Sequence, residues 1–284
     1  MQYLKNFNLP DETQEYEIEN SDIRRIFNTY YPLKIFPKRN FNHINFNDIT
    51  IFCGGNGSGK TTLLNIISEK LNALRKSTFD KGVHFKKYVD VCQCEMTYQE
   101  PEEIKIITSD DIFDYLLDIR AINANVNRTK EKLSKEWLEQ KFNENEISFK
   151  NYELLKDSVD SKKHTMSKFI RDRLSNNNMT EWSNGESALM YWEREINENG
   201  IYILDEPENS LSADNQLKLK QFIEDSVRFY NCQFIISTHS PFLLNLLDAT
   251  IYDLDSTPVK TKKWTEINNV KIYHDFFKEH ENEF

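Results

Sequence analysis

Glycine is scarce in this chain, with seven in 284 residues. No long linker and no internal repeat breaks the sequence. Cysteine is scarcer still: Cys53, Cys92, Cys94 and Cys232 are scattered, and the single residue between Cys92 and Cys94 is too short a spacing for a usual zinc half-site. Reduced, structural cysteines are the expectation. No stretch approaches the roughly 18 consecutive apolar residues of a membrane span, and the first twenty residues lack the basic-then-apolar layout of a secretion signal. A cytoplasmic protein with no integral membrane segment is therefore expected. Positive charge is also in deficit, since 36 Lys+Arg against 46 Asp+Glu leave a net charge of −10. Such a chain repels nucleic acid and anionic membranes, so any DNA contact needs a locally basic surface. What remains is a composition of 38% hydrophobic and 29% charged residues, which excludes disorder as the dominant state. One domain over residues 1–284 is expected, with a helical lobe inserted at 110–180.

Four of the seven glycines, Gly54, Gly55, Gly57 and Gly59, fall within six residues. The apolar run from Ile49 to Cys53 precedes them, and residues 62–71 carry apolar side chains at helical spacing, which predicts strand, glycine loop, helix. Two further apolar runs, Ile201–Leu204 and Gln233–Ser237, read as buried strands. Each follows a helical pattern, at Ser187 to Asn197 and at Asn215 to Tyr230. Alternating helices and fully apolar strands predict an α/β fold with a mostly parallel sheet covered on both faces. Residues 110–180 differ, being rich in Lys, Glu, Asn and Ser. Ile112, Tyr115, Leu116 and Ile119 fit one amphipathic helix capped by Ser109, and Leu133, Trp137 and Leu138 fit another.

The segment Gly54-Gly55-Asn56-Gly57-Ser58-Gly59-Lys60-Thr61 matches the phosphate-binding loop G-x-x-x-x-G-K-[ST], with Thr62 continuing into the helix. Glycines let consecutive N–H groups turn inward around a phosphate, and the helix start adds positive potential. Lys60 then reaches the β- and γ-phosphates of a nucleotide and the Thr61 hydroxyl ligates Mg²⁺. Asp205 ends a buried strand, where open parallel sheets gather their ligand groups, and its carboxylate suits the same metal ion. Glu206, pointing differently, suits a general base that polarises an attacking water.

With these, Ser183-Asn184-Gly185-Glu186-Ser187, Ser210-Leu211-Ser212 and Ser237-Thr238-His239-Ser240-Pro241 stand in the order found in the ATP-binding-cassette (ABC) ATPases, which the chain resembles over roughly residues 33–255. Within that superfamily the stretches from Pro207 to Ser212 and from Ser237 to Leu244 look like the stand-alone bacterial ATPases labelled AAA-type, related to SMC-like ATPases, rather than transporter subunits. The resemblance implies an ABC-type P-loop fold with an antiparallel β region and a helical lobe. It also implies Mg²⁺-dependent ATP hydrolysis and an ATP-dependent homodimer. Ser183, Asn184, Gly185 and Glu186 would be the signature motif that binds the γ-phosphate of ATP held by a second subunit. Ser210 to Ser212 would communicate across the dimer, and His239 would be the switch histidine at the γ-phosphate.

One feature departs from the family pattern. A glutamine normally ends the strand before the helical lobe, but here Ile104–Ile107 runs into Thr108-Ser109-Asp110-Asp111. Either Ser109 or Asp110 takes that role, or Gln93 or Gln99 reaches in from a neighbouring strand. Phe36 and Phe41 are the aromatic candidates for stacking on adenine. Three cellular roles share such an engine: a dimeric switch acting on a protein partner, as in genome defence; a DNA-associated ATPase; and a transporter subunit. For the DNA reading, Lys156 to Arg173 holds six Lys/Arg against three Asp, although interspersed charges equally describe a solvated helix face. Two arms of some 35 residues reach only about 50 Å at ~1.5 Å per residue, which excludes a long coiled-coil clamp.

Overall fold

A computed structural model describes residues 2–21, 30–142, 166, 170 and 184–284. The chain divides into two compact units, one formed by Met1–Phe113 with Asn184–Phe284, the other by Asp114–Ser183. In chain order the described elements begin with β1 (Leu4–Asn8), α1 (Glu12–Asn20), β2 (His43–Asn45), β3 (Ile49–Cys53), α2 (Lys60–Lys70), α3 (Phe85–Val91), β4 (Gln93–Met96), β5 (Glu103–Thr108) and α4 (Ser109–Phe142). They continue with α5 (Asn184–Glu195), β6 (Gly200–Asp205), α6 (Ala213–Tyr230), β7 (Gln233–Ser237), α7 (Pro241–Leu244), β8 (Thr250–Asp253), β9 (Lys260–Thr261) and α8 (Asn268–Glu279).

The first unit carries a six-stranded sheet in the order β5-β6-β7-β3-β8-β9, parallel except for the antiparallel edge strand β9. Every residue of β3, β6 and β7 is buried, as the unbroken apolar runs require. Successive side chains of a strand point to opposite faces. Accordingly Ile201, Ile203 and Ile235 join a core with Leu63, Ile66 and Ile67 of α2, while their neighbours Tyr202 and Phe234 stay outside that cluster. The rings of Tyr202 and Phe234 meet at 5.7 Å, fully buried, and α6 packs against β7 and α5. The sheet is thus covered on both faces.

A three-stranded antiparallel sheet, β2-β1-β4, adds Leu4, Phe7 and Ile44 to the α2 side of the core. One side chain ties it to the main sheet. The fully buried amide of Gln233, at the start of β7, accepts from Tyr3 N (2.9 Å) and Leu4 N (2.8 Å) and donates to Leu4 O (2.9 Å) and Asn47 O (3.0 Å).

The two amphipathic patterns expected after residue 109 lie on one helix, α4, 34 residues long. No glycine or proline interrupts it, so nothing in the backbone ends the first pattern before the second begins. Ser109 lies inside its first turn and is not the cap. Thr108 fills that position: its Oγ1 accepts from Asp111 N (3.4 Å), and the Asp111 carboxylate accepts from Thr108 N (2.8 Å) and Thr108 Oγ1 (2.9 Å).

Candidate active site

Parallel strands deliver their C-terminal ends to one edge of the sheet, and the phosphate loop, Asp205-Glu206 and the segment from Ser237 to His239 lie there. In register, Thr108 of β5 stands beside Asp205 of β6, and Asp205 beside Ser237 of β7. The phosphate loop leaves β3 after Cys53 and ends where Lys60 opens α2. Gly57 (φ +78°) and Gly59 (φ +96°) sit in the left-handed region that side-chain-bearing residues avoid. A Cβ on Gly59 would also stand 3.0 Å from Ile35 Cγ2.

Two side chains absent from any motif brace this loop. Arg39, in a short 3₁₀ turn at Pro37–Arg39, donates from Nη1 to Ser58 O (2.6 Å) and to Leu254 O. Asp255, just after β8, accepts from Gly55 N at 2.7 Å. Neither residue has a local signal, because each reaches the loop from a separate part of the chain.

The Lys60 ammonium is only 5% exposed. It donates to Gly54 O (2.8 Å), more weakly to Gly55 O (3.4 Å), and to His239 Nε2 (2.7 Å), and it lies 3.8 Å from Glu206 Oε1. An ammonium has no lone pair to offer, so the imidazole Nε2 is the acceptor of this bond. The Thr61 hydroxyl donates to Asp205 Oδ1 (3.3 Å), and Ser237 Oγ donates to the same oxygen. Burial pushes the Asp205 carboxyl up from its ordinary range, and the hydrogen bonds from Ser237 and Thr61 oppose that shift.

Glu206 departs from the strand at φ +50°, an unusual value for a non-glycine residue and of the sort that active sites hold. Its N–H donates to Ser237 O (3.0 Å), its Oε1 lies 3.4 Å from His239 Nε2, and its Oε2 accepts from Asn209 Nδ2 (3.2 Å). A cavity of about 300 Å³ is lined by Ile35, residues 56–62 and Glu206. Lys60, Thr61, Asp205, Glu206 and His239 thus converge. Thr61 and Asp205 present a hydroxyl and a carboxylate and no nitrogen or sulfur, a donor set that fits a hard cation such as Mg²⁺ completed by phosphate oxygens and water.

Other expectations are revised. Phe36 and Phe41 are buried in the core, with rings 6.3 Å apart, and present no face for stacking on a base; Ile35 is the apolar side chain that borders the cavity. Gln93 lies on β4 of the antiparallel sheet opposite Asn8, and Gln99 is exposed beyond β4, so neither comes from the strand beside β6. Ser109 and Asp110 belong to the first turn of α4. Ser183 lies outside the described residues, as does the basic run from Lys156 to Arg173 apart from Met166 and Ile170. Asn184, Gly185 and Glu186 open α5. Ser210 is exposed at φ +71°, Leu211 is buried, and Ser212 caps α6 by accepting from Asn215 N at 3.4 Å.

A family model described as ABC transporter matches residues 41–209. No curated protein matches the chain. Among solved structures the chain is similar to an Smc head domain with an extended coiled coil, bound to the C-terminal domain of ScpA, from Pyrococcus furiosus: 15% identity over 97% of this chain and 100% of that one, TM-score 0.43. It is similar to an SMC head domain from Thermotoga maritima at 12% identity, covering 92% and 98% of the two chains, TM-score 0.37. A dimeric ATP-binding cassette in a post-hydrolysis state, bound to ADP and Pi, is 15% identical over 79% and 90%, TM-score 0.35.

Proposed function

The chain belongs to the ABC transporter family, whose shared part is an ABC-type ATPase domain, and we propose that it is a Mg²⁺-dependent ATPase that dimerises around ATP and acts as a switch on a protein partner. The observation that carries the reading is the convergence of Lys60, Thr61, Asp205, Glu206 and His239 on one end of the sheet. The inward-turned loop amides and Lys60 bind the β- and γ-phosphates of ATP. Thr61 and Asp205 hold Mg²⁺, which supplies charge neutralisation on those phosphates. Glu206, oriented by Asn209, takes the proton of a water directed at the γ-phosphate. His239, next to both Lys60 and Glu206, stands where it can sense that phosphate.

In the dimer, Ser183 to Glu186 complete the site of the second copy; Asn184 to Glu186 form the first turn of α5, where the helix dipole favours an anion. The exposed Ser210 lies three residues beyond Pro207 and follows Asn209, which gives it a direct chain connection to Glu206. The motif subtype points to genome defence, through a protein partner, as the setting of such a switch. Among the described residues no helix is long and apolar enough to cross a membrane.

The test is the solution mass of the Glu206→Gln variant, with and without ATP and Mg²⁺, by light scattering on a sizing column. A shift from about 34 to about 68 kDa only with ATP supports the nucleotide-bound dimer, the monomer mass being 33.8 kDa. A mass that ATP leaves unchanged removes the dimer from the proposal. Lys60→Ala should lose nucleotide binding, and Glu206→Gln should bind ATP without turning it over. Normal turnover by either variant overturns the site assignment.

A further inference from the structure

His239 sits in the irregular stretch between β7 and α7, where no ladder partner serves its backbone. Its peptide groups are instead held by two side chains from distant parts of the chain. Glu208 Oε1 accepts from His239 N at 2.6 Å and from Ser240 N at 3.1 Å. On the other side, Asn269 Nδ2, in the first turn of α8, donates to His239 O at 2.8 Å. Backbone groups away from water need partners, so a plain structural role explains why something must bind there. It does not explain the choice. A half-buried carboxylate with one oxygen sealed from solvent is costly to place, and here it is spent on the amides of two consecutive residues, one of them the histidine.

What the two bonds control is visible in the imidazole. Its Nε2 lies 2.7 Å from Lys60 Nζ and 3.4 Å from Glu206 Oε1. A hydrogen bond at 2.7 Å tolerates only a few tenths of an ångström of displacement before it weakens. The His239 side chain is attached to the peptide that Glu208 and Asn269 grip, so rotation of that peptide would carry the ring away from both groups. Glu208 also lies two residues beyond Glu206, on the segment that leads to Ser210, whereas Asn269 belongs to the last long helix.

We propose that Glu208 and Asn269 are positioning residues that set the orientation of His239 at the phosphate site from either side of its backbone, linking the segment after Glu206 and helix α8 to the switch histidine. The inference rests on the ATPase reading for its kinetic readout, and on the backbone bonds alone for its second one.

The experiment compares Asn269→Ala, Glu208→Ala and Glu208→Gln with the parent protein, each with and without His239→Ala. Steady-state ATP turnover and hydrogen exchange of the amides in residues 238–244 are both measured. Asn269→Ala and Glu208→Ala should lower kcat about tenfold with KM for ATP within about twofold. In the His239→Ala background neither should lower it further, because each acts through the histidine. Glu208→Gln keeps an acceptor oxygen and should recover most of the loss. Exchange of the 238–244 amides should accelerate in Glu208→Ala and Asn269→Ala and stay near the parent rate in Glu208→Gln.

Full turnover in both alanine variants overturns the proposal, as does an equal further loss in the His239→Ala background. Unchanged exchange overturns it whatever the kinetics. If the parent protein does not hydrolyse ATP, the ATPase reading fails while the exchange experiment still decides whether the two residues hold His239. If Glu208→Ala fails to fold, Asn269→Ala, at a partly exposed position near the start of α8, carries the same two readouts.

Discussion

Asp255 and Gly55 are joined by a hydrogen bond of 2.7 Å, carboxylate to loop amide, across 200 residues of chain. The bond fixes the first half of the phosphate loop from the side of β8, as Arg39 fixes Ser58 from the side of the 3₁₀ turn. A carboxylate beside a phosphate-binding loop also repels an anion, so its removal has two opposing effects. Positioning should win, since the bond, although exposed, is charge-assisted and contributes about 1–1.5 kcal/mol, and the repulsion is screened by solvent. Asp255→Ala is expected to weaken ATP binding about tenfold. Asp255→Asn, which keeps an acceptor and drops the charge, should stay within about twofold. Titration with a fluorescent ATP analogue reads both; tighter binding in both variants would mean that repulsion dominates.

The glycines of the loop are not equivalent. At Gly59 a side chain meets a φ of +96° and Ile35 Cγ2 at 3.0 Å, while at Gly57 a φ of +78° is paired with open space. Gly57→Ala therefore has only the conformational cost, about 1–2 kcal/mol, and Gly59→Ala adds a steric one. ATP affinity should fall about tenfold in Gly57→Ala and at least several-fold more in Gly59→Ala, by the same titration. The reverse order would place the phosphate-bound loop in a different conformation.

Much of this site could be read from sequence because its parts are contiguous. The strand, loop and helix around Gly54 to Thr61, and the four apolar residues before Asp205, each lie within about a dozen positions, and fully buried strands leave an unbroken apolar run. The antiparallel strands left no such trace: β2 is His-Ile-Asn and β4 is Gln-Cys-Glu-Met, half-exposed pieces with too few residues for a period. Arg39, Asp255 and Asn269 reach partners far along the chain through one or two hydrogen bonds each, which no local pattern records. Ser109 was a reasonable cap by residue type, but the register that ends β5 at Thr108 moves the cap one position back. Phe36 and Phe41 had the chemistry to stack on a base, yet the core needed them more: Phe36 packs on Phe41, and Phe41 on Phe52 and Tyr252, on the α2 side.

Gln233 makes all four hydrogen bonds its amide offers: two hold Leu4 at the start of β1, one the preceding Tyr3 and one Asn47. Gln233→Leu fills similar space but strands the N–H groups of Tyr3 and Leu4 and the carbonyls of Leu4 and Asn47. With about 1–3 kcal/mol for each buried group left without a partner, partly relieved by relaxation of the short β1, a loss of about 3 kcal/mol or more is expected. Urea unfolding measures it. A loss under about 1 kcal/mol would show that water replaces the amide at this junction.

Glu195, near the end of α5, is almost fully buried and pairs with Lys76 (2.7 Å) and Lys105 (3.0 Å). Burial raises its pKa, but hydrogen bonds and charge from the two lysines outweigh that, and the net shift is below the ordinary value of 4.5. A carboxylate whose pKa is lowered by folding stabilises the native state wherever it is ionised in both states. That contribution is complete above about pH 4.5 and is lost as pH falls through the lowered folded value. Breaking a fully buried pair costs about 3–5 kcal/mol; here Lys76 is half-exposed and Lys105 keeps Glu103 at 3.3 Å, so Glu195→Gln should cost about 2 kcal/mol at neutral pH. Denaturant unfolding of parent and variant should show that gap constant from about pH 8 to about pH 6 and narrowing only below about pH 4.5. A gap that widens as pH falls would mean that burial, not the lysine pair, sets the ionisation of Glu195.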